Sequence, residues 1–343
     1  MHVGLLTGGG DCPGLNAVIR AVTLALAANG VRVIGTRRVR PLDAAAVQAL
    51  LAEGGTLLGT HNRCDPFRYF GAGGADVSAG LMAYVRELGL DVVVAIGGDG
   101  TMSIAHRLQL IGLPVVGVPK TIDNDLRGTD RSFGFDSAVA VVADALDRLR
   151  TTARSHGRVM IVETMGRYAG WIALAGGIAG GADVILLPET PYDVAAVAAF
   201  CRSRKAVPGH TLVCIAEGAR AEGAALTVHE RIADSPDPLR LGGVGQALQR
   251  ALEPQLTTEV RTTLLGHLQR GGSPTPFDRI LATRLGCHAA ELVERGEFGR
   301  MVAVHGDTVT NVPLAEAGSG MRPVPPGHEL LEVARRTGVM LGR

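Results

Sequence analysis

Residues 92–125 read VVVAIGGDGTMSIAHRLQLIGLPVVGVPKTIDND. A short apolar run from Val92 feeds a turn of Gly97, Gly98, Asp99 and Gly100. MSIAHRLQLIG has the character of a helix. LPVVGVP is a second apolar run that ends at Pro119 and delivers Lys120, Thr121, Asp123 and Asp125. Strand, helix, strand is the repeating unit of a parallel sheet. Such sheets hold their ligands beyond the C-terminal ends of adjacent strands. The stretch therefore predicts a doubly wound α/β fold, with two polar clusters placed where a ligand would sit.

The same alternation runs back to the start of the chain. HVGLLT is a strand, GGGDCPGLN a Gly-rich turn, and AVIRAVTLALAANG a helix ending at Gly30. Glycines let backbone N–H groups approach an anion, and a helix N-terminus adds favourable partial charge. The turn is neither a Walker A loop nor a clean GxGxxG, so taken alone it reads equally well as a structural turn. VRVIGT is the next strand, and RRVRPLDAAAVQALLAEGG runs through a connector into a helix. TLLGT is expected as a further strand, with Arg63 on the loop behind it, and ADVSAGLMAYVRELG as the helix leading to Val92.

Beyond Asp125, RSFGFDSAVAVVADALDRLRTTARSHG is a long helix. A second set of strand–turn units follows: RVMIVETMGRYAGW, ADVILLPE, HTLVCIAEGA and RTTLLGHLQRGG. The two sets look alike in architecture but share no residue-level repeat. PLAEAGSGMRPVPPGHELLEVARRTG reads as a loop and a closing helix, with Gly318 to Pro326 the best linker candidate.

Composition narrows the function classes. With 343 residues, the chain is expected to form about two domains. Hydrophobic residues make up 46% and charged residues 20%, enough apolar surface for a large core and against disorder. A net charge of +1 argues against a nucleic-acid-binding surface as the main business. The five cysteines include no CxxC pair, against a zinc or iron–sulfur site. No apolar stretch has the length of a membrane span, and no basic leader precedes the first strand, so a cytoplasmic protein without membrane partners is the expectation.

Three clusters carry the chemistry. In the first, Gly98, Asp99, Gly100 and Thr101 end a buried strand. In-line transfer from a nucleotide needs Mg²⁺ across the phosphates, and Mg²⁺ takes one or two carboxylates beside phosphate oxygens. Asp99 suits that role, or else caps the next helix. In the second, Asp123 or Asp125 can accept the proton of an attacking hydroxyl, or both are turn residues, while Thr121 can orient substrate or base. The third is an arginine set, Arg63, Arg158, Arg167, Arg261 and Arg270, with His267, each at or just beyond a strand end. Guanidinium groups recognise phosphate bidentately. A single such arginine is more often a solvated charge; five at strand ends in a neutral chain are harder to read that way. Glu217 is a lone strand-end carboxylate for sugar hydroxyls or a cap. His61, His106, His156 and His210 lack paired spacing and read as bland. The chemistry that fits is phosphoryl transfer.

These residues carry a close resemblance to the 6-phosphofructokinase family. It spans nearly the whole chain, from GGGDCPGLNAVIR through AIGGDGT, PKTIDND, VETMGRYAGW and AEGA to LGHLQRGGSPTPFDRILA. GGDGT alone occurs in other kinases; the ordered set is specific. The resemblance implies two similar doubly wound domains with mostly parallel sheets and an active site in the cleft between them. It implies a donor domain of residues 1–134 plus 269–315 and a sugar-phosphate domain of residues 135–268 plus 316–343. The implied activity is transfer of the ATP γ-phosphoryl to the 1-hydroxyl of D-fructose 6-phosphate. Gly9 is similar to the first-loop glycine at the nucleotide phosphates, Arg63 to the arginine facing the transferring phosphate, and Asp99 to the Mg²⁺ carboxylate. Thr121 and Asp123 resemble the substrate threonine and the general base. Met165, Gly166 and Arg167 resemble the sugar loop, and Glu217, His267 and Arg270 the sugar and 6-phosphate contacts. Arg158 and Arg261 resemble arginines lent by a neighbouring subunit, implying a homo-oligomer, usually a tetramer.

Two positions bear on the donor. Gly100 is similar to ATP users, which leave room for the α-phosphate where pyrophosphate users carry Asp. Lys120 is similar to pyrophosphate users. The combination resembles a mixed actinobacterial subgroup that uses ATP, and Gly100 carries more steric weight. Pyrophosphate as donor, or another sugar phosphate such as sedoheptulose 7-phosphate, are the alternatives; intact Asp99 and Asp123 speak against a silent regulatory subunit. A shortened loop at Arg37–Pro41 speaks against ordinary allosteric control, although Arg20 and Arg150 match positions that can face an effector phosphate. The segment around Arg63 is one residue longer than common forms.

Overall fold

The computed structural model describes residues 1–36, 39–204, 209–232 and 238–343. In chain order its strands are β1 (His2–Thr7), β2 (Arg32–Gly35), β3 (Arg40–Leu42), β4 (Val92–Gly97), β5 (Val115–Pro119), β6 (Val159–Thr164), β7 (Val184–Leu186), β8 (Thr211–Ala216), β9 (Val228–Arg231), β10 (Leu239–Leu241), β11 (Val260–Leu264), β12 (Arg300–His305) and β13 (Thr308–Pro313). The helices are α1 (Leu15–Ala28), α2 (Ala44–Val47), α3 (Ser78–Glu87), α4 (Asp99–Leu110), α5 (Phe135–His156), α6 (Trp171–Ala179), α7 (Val194–Ser203), α8 (Val244–Leu252), α9 (Pro276–Arg295), α10 (Leu314–Ala317) and α11 (Glu329–Arg336). The chain forms two compact units. One is Met1–Ser137 with Arg270–Met321; the other is the described residues within 138–269 with Arg322–Arg343.

The first unit is built on a seven-stranded sheet of order β13-β12-β5-β4-β1-β2-β3. Strands β12, β5, β4, β1 and β2 are parallel, and antiparallel β13 and β3 close the edges. β4 and β5 are buried at every residue, which is why their sequences are unbroken apolar runs rather than alternating ones. Val93, Ala95, Met102, Ala105, Val115, Met301 and Leu314 form a core between this sheet and helices α4 and α10. α1 meets α9 at a small-residue contact, where a Cβ on Gly286 would lie 2.7 Å from that of Ala21.

The second unit holds a four-stranded, wholly parallel sheet of order β11-β6-β8-β7 and a two-stranded antiparallel ribbon, β9 with β10. Its core joins Val159, Ile161, Val213 and Ile215 of the sheet to Leu248 and Leu252 of α8. Gly177 lets α6 approach β7, because a Cβ there would fall 2.7 Å from Ile185. No helix among the described residues is long and apolar enough to cross a membrane.

Three local expectations are corrected. TLLGT is not a strand: Thr56 Oγ1 accepts from the Leu58 amide at 3.2 Å, and the segment is a turn. The helix expected across DAAAVQALLAEGG is one α-turn, α2, capped by Asp43, followed by a 3-10 stretch over Gln48–Ala52. Gly318–Pro326 contains the division between units but is no loose linker. Met321 bridges Leu126, and Val324 is buried. Of the shortened loop, Arg37 and Arg38 lie outside the described residues. Arg40 and Pro41 are on β3, which folds back on β2 with Arg40 opposite Gly35.

Candidate active site

In the first unit, β5, β4 and β1 are neighbours, and their C-terminal ends deliver Lys120–Asp123, Gly98–Thr101 and Gly8–Gly10. From β1 the order continues to β2 on one side and from β4 to β5 on the other. The Gly-rich turn and the GGDG turn thus leave adjacent strands where the order reverses, the place such sheets bind ligands. The Gly8 amide donates to the Ile96 carbonyl at 2.9 Å, and the Gly9 amide to the His61 carbonyl at 3.2 Å. Thr101 is wedged between the two turns. A Cβ on Gly97 would lie 2.2 Å from its Oγ1, and one on Gly8 2.6 Å. Both glycines leave room for the Thr101 side chain between the turns.

Asp99 is the first residue of α4. Gly98 is the cap, so Asp99 is not the capping residue itself, although its carboxylate lies in the first helical turn, where negative charge is favoured. Asp99 is half-buried and Gly100 exposed, with open space where its Cβ would be. After β5, Asn124 adopts a left-handed φ of 51°. Its Oδ1 accepts from the Ser132 amide at 3.0 Å, and the Ser132 hydroxyl donates to the Thr121 carbonyl at 2.8 Å. Asp125 is buried and accepts from the Thr121 hydroxyl at 3.2 Å; Asp123 is only half-buried, with its amide donating to Thr121 Oγ1 at 3.0 Å. Burial, then the negative charges of Asp123 and Asp99, push the Asp125 carboxyl up to about 7. The negative charges of Asp123 and Asp99 acting on Asp125 make a locus that favours a cation.

Lys120 is buried, and its ammonium donates to the Gly10 carbonyl. Burial pushes its pKa below the ordinary lysine value, opposed by Cys12, Asp123 and Asp11. Arg270 NH1 donates to the Asp11 carbonyl at 3.1 Å, so this arginine also braces the first turn. Arg63 is half-buried with its guanidinium 4.8 Å from the Phe70 ring centroid. Its amide donates to His61 Nδ1 at 3.0 Å, and His61 stacks on Phe70 at 5.0 Å. The bland reading of His61 is therefore corrected: it orients the Arg63 loop and accepts from Gly9. Nothing local in the sequence signals this, because the stacking partner arrives from across a loop.

In the second unit, β11, β6 and β8 are neighbours, and their C-terminal ends deliver His267, Met165–Arg167 and Glu217. Gly166 has φ 137° and Arg167 φ 53°. A non-glycine residue held there costs on the order of 1–3 kcal/mol and persists only where the surroundings impose it. The imposition is visible. The Arg167 amide donates to Glu217 Oε1 at 3.0 Å, and a Cβ on Gly218 would lie 1.9 Å from the Arg167 carbonyl oxygen. Glu217 therefore binds the loop backbone through one oxygen. His267 is exposed.

Arg158 and Arg261 do not join that group. Arg158 immediately precedes β6, and Arg261, opposite Met160, is the second residue of β11; both lie at the N-terminal end of the same parallel sheet. They share Glu259, at 2.5 Å and 3.1 Å. The reading of both at or just beyond a strand end is corrected: Arg158 precedes β6 and Arg261 lies within β11, at the opposite end from Arg167, Glu217 and His267. Arg150 donates to the Gly180 and Gly181 carbonyls at the end of α6, so its guanidinium is engaged within the chain. Sequence reasoning also passed over Glu163, a buried carboxylate that accepts the Gly243 and Gly245 amides, each at 2.8 Å, at the start of α8.

No cluster of three or more His, Cys, Asp or Glu that would hold a metal alone occurs among the described residues. A single half-buried carboxylate, with others near, fits Mg²⁺, which keeps waters and phosphate oxygens in its shell.

A family model described as Phosphofructokinase matches residues 2–293. An ATP-dependent 6-phosphofructokinase of Chloroflexus aurantiacus is 47% identical over 99% of this chain and 98% of its own length. A pyrophosphate–fructose 6-phosphate 1-phosphotransferase of Streptomyces coelicolor is 46% identical over 95% of this chain and 97% of its own. The fold matches the crystal structure of a pyrophosphate-dependent phosphofructokinase from Nitrosospira multiformis, with TM-score 0.81 and 21% identity over 100% of this chain and 92% of that one.

Proposed function

The chain belongs to the phosphofructokinase family, and on that premise we propose that it is an ATP-dependent 6-phosphofructokinase, a glycolytic kinase. It transfers the γ-phosphoryl of ATP to the 1-hydroxyl of D-fructose 6-phosphate, giving fructose 1,6-bisphosphate. The observation that carries this reading is the pair of turns at adjacent strand ends, with Asp99 and Asp123 on one sheet beside a glycine cradle.

In this reading the donor residues lie in the first unit, and most of the sugar-phosphate residues in the second. The backbone of Gly9, Gly98, Gly100 and Thr101 lines the donor phosphates, and Asp99 holds Mg²⁺. Held by Asp99, a Mg²⁺ ion would supply positive charge against the donor phosphates. Asp123 is the base for the 1-hydroxyl. It is preferred to Asp125 because it is partly exposed, whereas Asp125 is buried and given over to Thr121. Thr121 fixes the Asp123 backbone, and Arg63 faces the transferring phosphoryl. Met165, Gly166, Arg167, Glu217, His267 and Arg270 bind the sugar phosphate. Positioning and electrostatics supply most of the catalysis.

Arg158 and Arg261, at the far end of their sheet, serve a neighbouring subunit's site in a homotetramer; a monomer in sedimentation would overturn that assignment. The enzyme works in the cytoplasm, with its substrates. Lys120 and the Streptomyces coelicolor relative favour pyrophosphate as a second reading. We follow Gly100, because its open Cβ position leaves room for a nucleotide, and Lys120 is already bound to the first turn.

The assignment of the base is tested by Asp123→Asn. Loss of general-base catalysis removes about 10²- to 10⁴-fold of turnover, with the circular dichroism spectrum unchanged. Near-native turnover would mean that another group takes the proton.

A further inference from the structure

The loop Met165–Gly170 carries two left-handed residues, and it is pinned from both sides. On one side the Arg167 amide is held by Glu217. On the other, the Gly170 amide donates to Glu189 Oε1 at 2.9 Å. That same carboxylate oxygen accepts from the Val324 amide at 2.8 Å. One atom thus joins the loop to the C-terminal segment.

A second attachment lies one residue further on. Trp171 opens α6 and is 3% exposed. Its indole N–H donates to the Arg322 carbonyl at 2.9 Å. The Arg322 guanidinium lies 4.5 Å from its ring centroid, and the His328 ring meets it edge-on at 4.9 Å. His328 in turn caps α11 through Nδ1, which accepts from the Leu330 amide at 3.3 Å. The segment is therefore anchored at its far end by a helix and at its near end by the residue that follows the loop.

We infer that Arg322–His328 is a strap that positions the loop Met165–Gly170, with Trp171 and Glu189 as positioning residues for the sugar phosphate. The inference rests on the reading of that loop as sugar-phosphate-binding. Losing the Glu189 bond frees the Gly170 amide, and losing the indole bond frees Trp171 beside it. Each change loosens the C-terminal side of the loop that carries the left-handed Arg167, and the loop spends less time in the binding geometry. The cost falls on sugar affinity, not on the donor.

The test compares Trp171→Phe, Glu189→Ala and Glu189→Gln with Arg167→Ala and a core variant of the same unit, Leu248→Ala. Phenylalanine keeps an aromatic ring but loses the N–H; glutamine keeps an oxygen that accepts both amides. The expected result is a rise of about tenfold in the KM for fructose 6-phosphate in Trp171→Phe and Glu189→Ala. The KM for ATP stays unchanged, and Glu189→Gln stays near native. Leu248→Ala lowers the melting temperature without moving either KM. If the strap variants only lower the melting temperature, as Leu248→Ala does, while Arg167→Ala raises the sugar KM, the strap is ordinary packing and the inference fails alone. If Arg167→Ala also leaves the sugar KM unchanged, the loop reading fails and the strap falls with it.

Discussion

Asp123 and Asp125 stand two positions apart with the left-handed Asn124 between them, and they differ in burial and hydrogen bonding. The motif TIDND makes carboxylates at this strand end legible in the sequence. Which of the two faces outward is settled by the left-handed turn and the Thr121 hydrogen bonds, which no residue pattern displays. The contacts of His61 and Glu189 were equally hidden: the first rests on how its own loop folds back to bring Phe70 against it, the second on a partner in the C-terminal segment. Gly100 supports a prediction at this scale. Its Cβ position is open, so Gly100→Asp folds normally, with a melting temperature within a few degrees of native. The added carboxylate sits beside Asp99 and repels a nucleotide phosphate. ATP turnover is expected to fall by about 10²-fold or more. A Gly100→Asp enzyme with native ATP kinetics would show that this position does not choose the donor.

Strands whose whole length is buried were the clearest elements to read. β4 and β5 are continuous apolar runs bounded by turns, β6 and β8 are mostly apolar with a buried polar residue or two at one end, and each stands within a parallel stretch of sheet. TLLGT misled because a short apolar run looks the same whether it pairs or turns. The long α5 was legible, but not what holds its start. Asp278, buried on α9, accepts from the Ser137 amide at 2.8 Å and its hydroxyl at 2.6 Å at the first turn of α5. Burial pushes the Asp278 carboxyl from 3.8 up to about 6, although the Ser137 bonds pull it down. The folded protein therefore binds a proton that the unfolded chain releases between those values, and stability contributed by this group falls as pH rises through that window. Above it the contribution is flat. Asp278→Asn removes this slope. Urea unfolding at pH 4, 5, 6 and 7 should show a smaller loss of stability with rising pH in the variant than in the native protein. Parallel curves would mean that Asp278 stays ionised when folded.

At the scale of the molecule, two units of similar design were expected from two sets of strand–turn units, and two parallel-sheet units are present. They are not copies. The first closes its edges with antiparallel β13 and β3, whereas the second ends on β11 and β7 and adds a separate ribbon. The candidate residues divide accordingly: Gly9, Arg63, Asp99, Asp123 and Arg270 fall in one unit, and Arg167, Glu217 and His267 in the other. The central claim is that this division serves one reaction, phosphoryl transfer from ATP to fructose 6-phosphate. The most direct measurement is formation of fructose 1,6-bisphosphate by the purified enzyme, with Mg²⁺, supplied in parallel with ATP or with pyrophosphate. Bisphosphate formed with ATP, and at most a trace with pyrophosphate, is the predicted result. Turnover with pyrophosphate alone, or with neither donor, would contradict it.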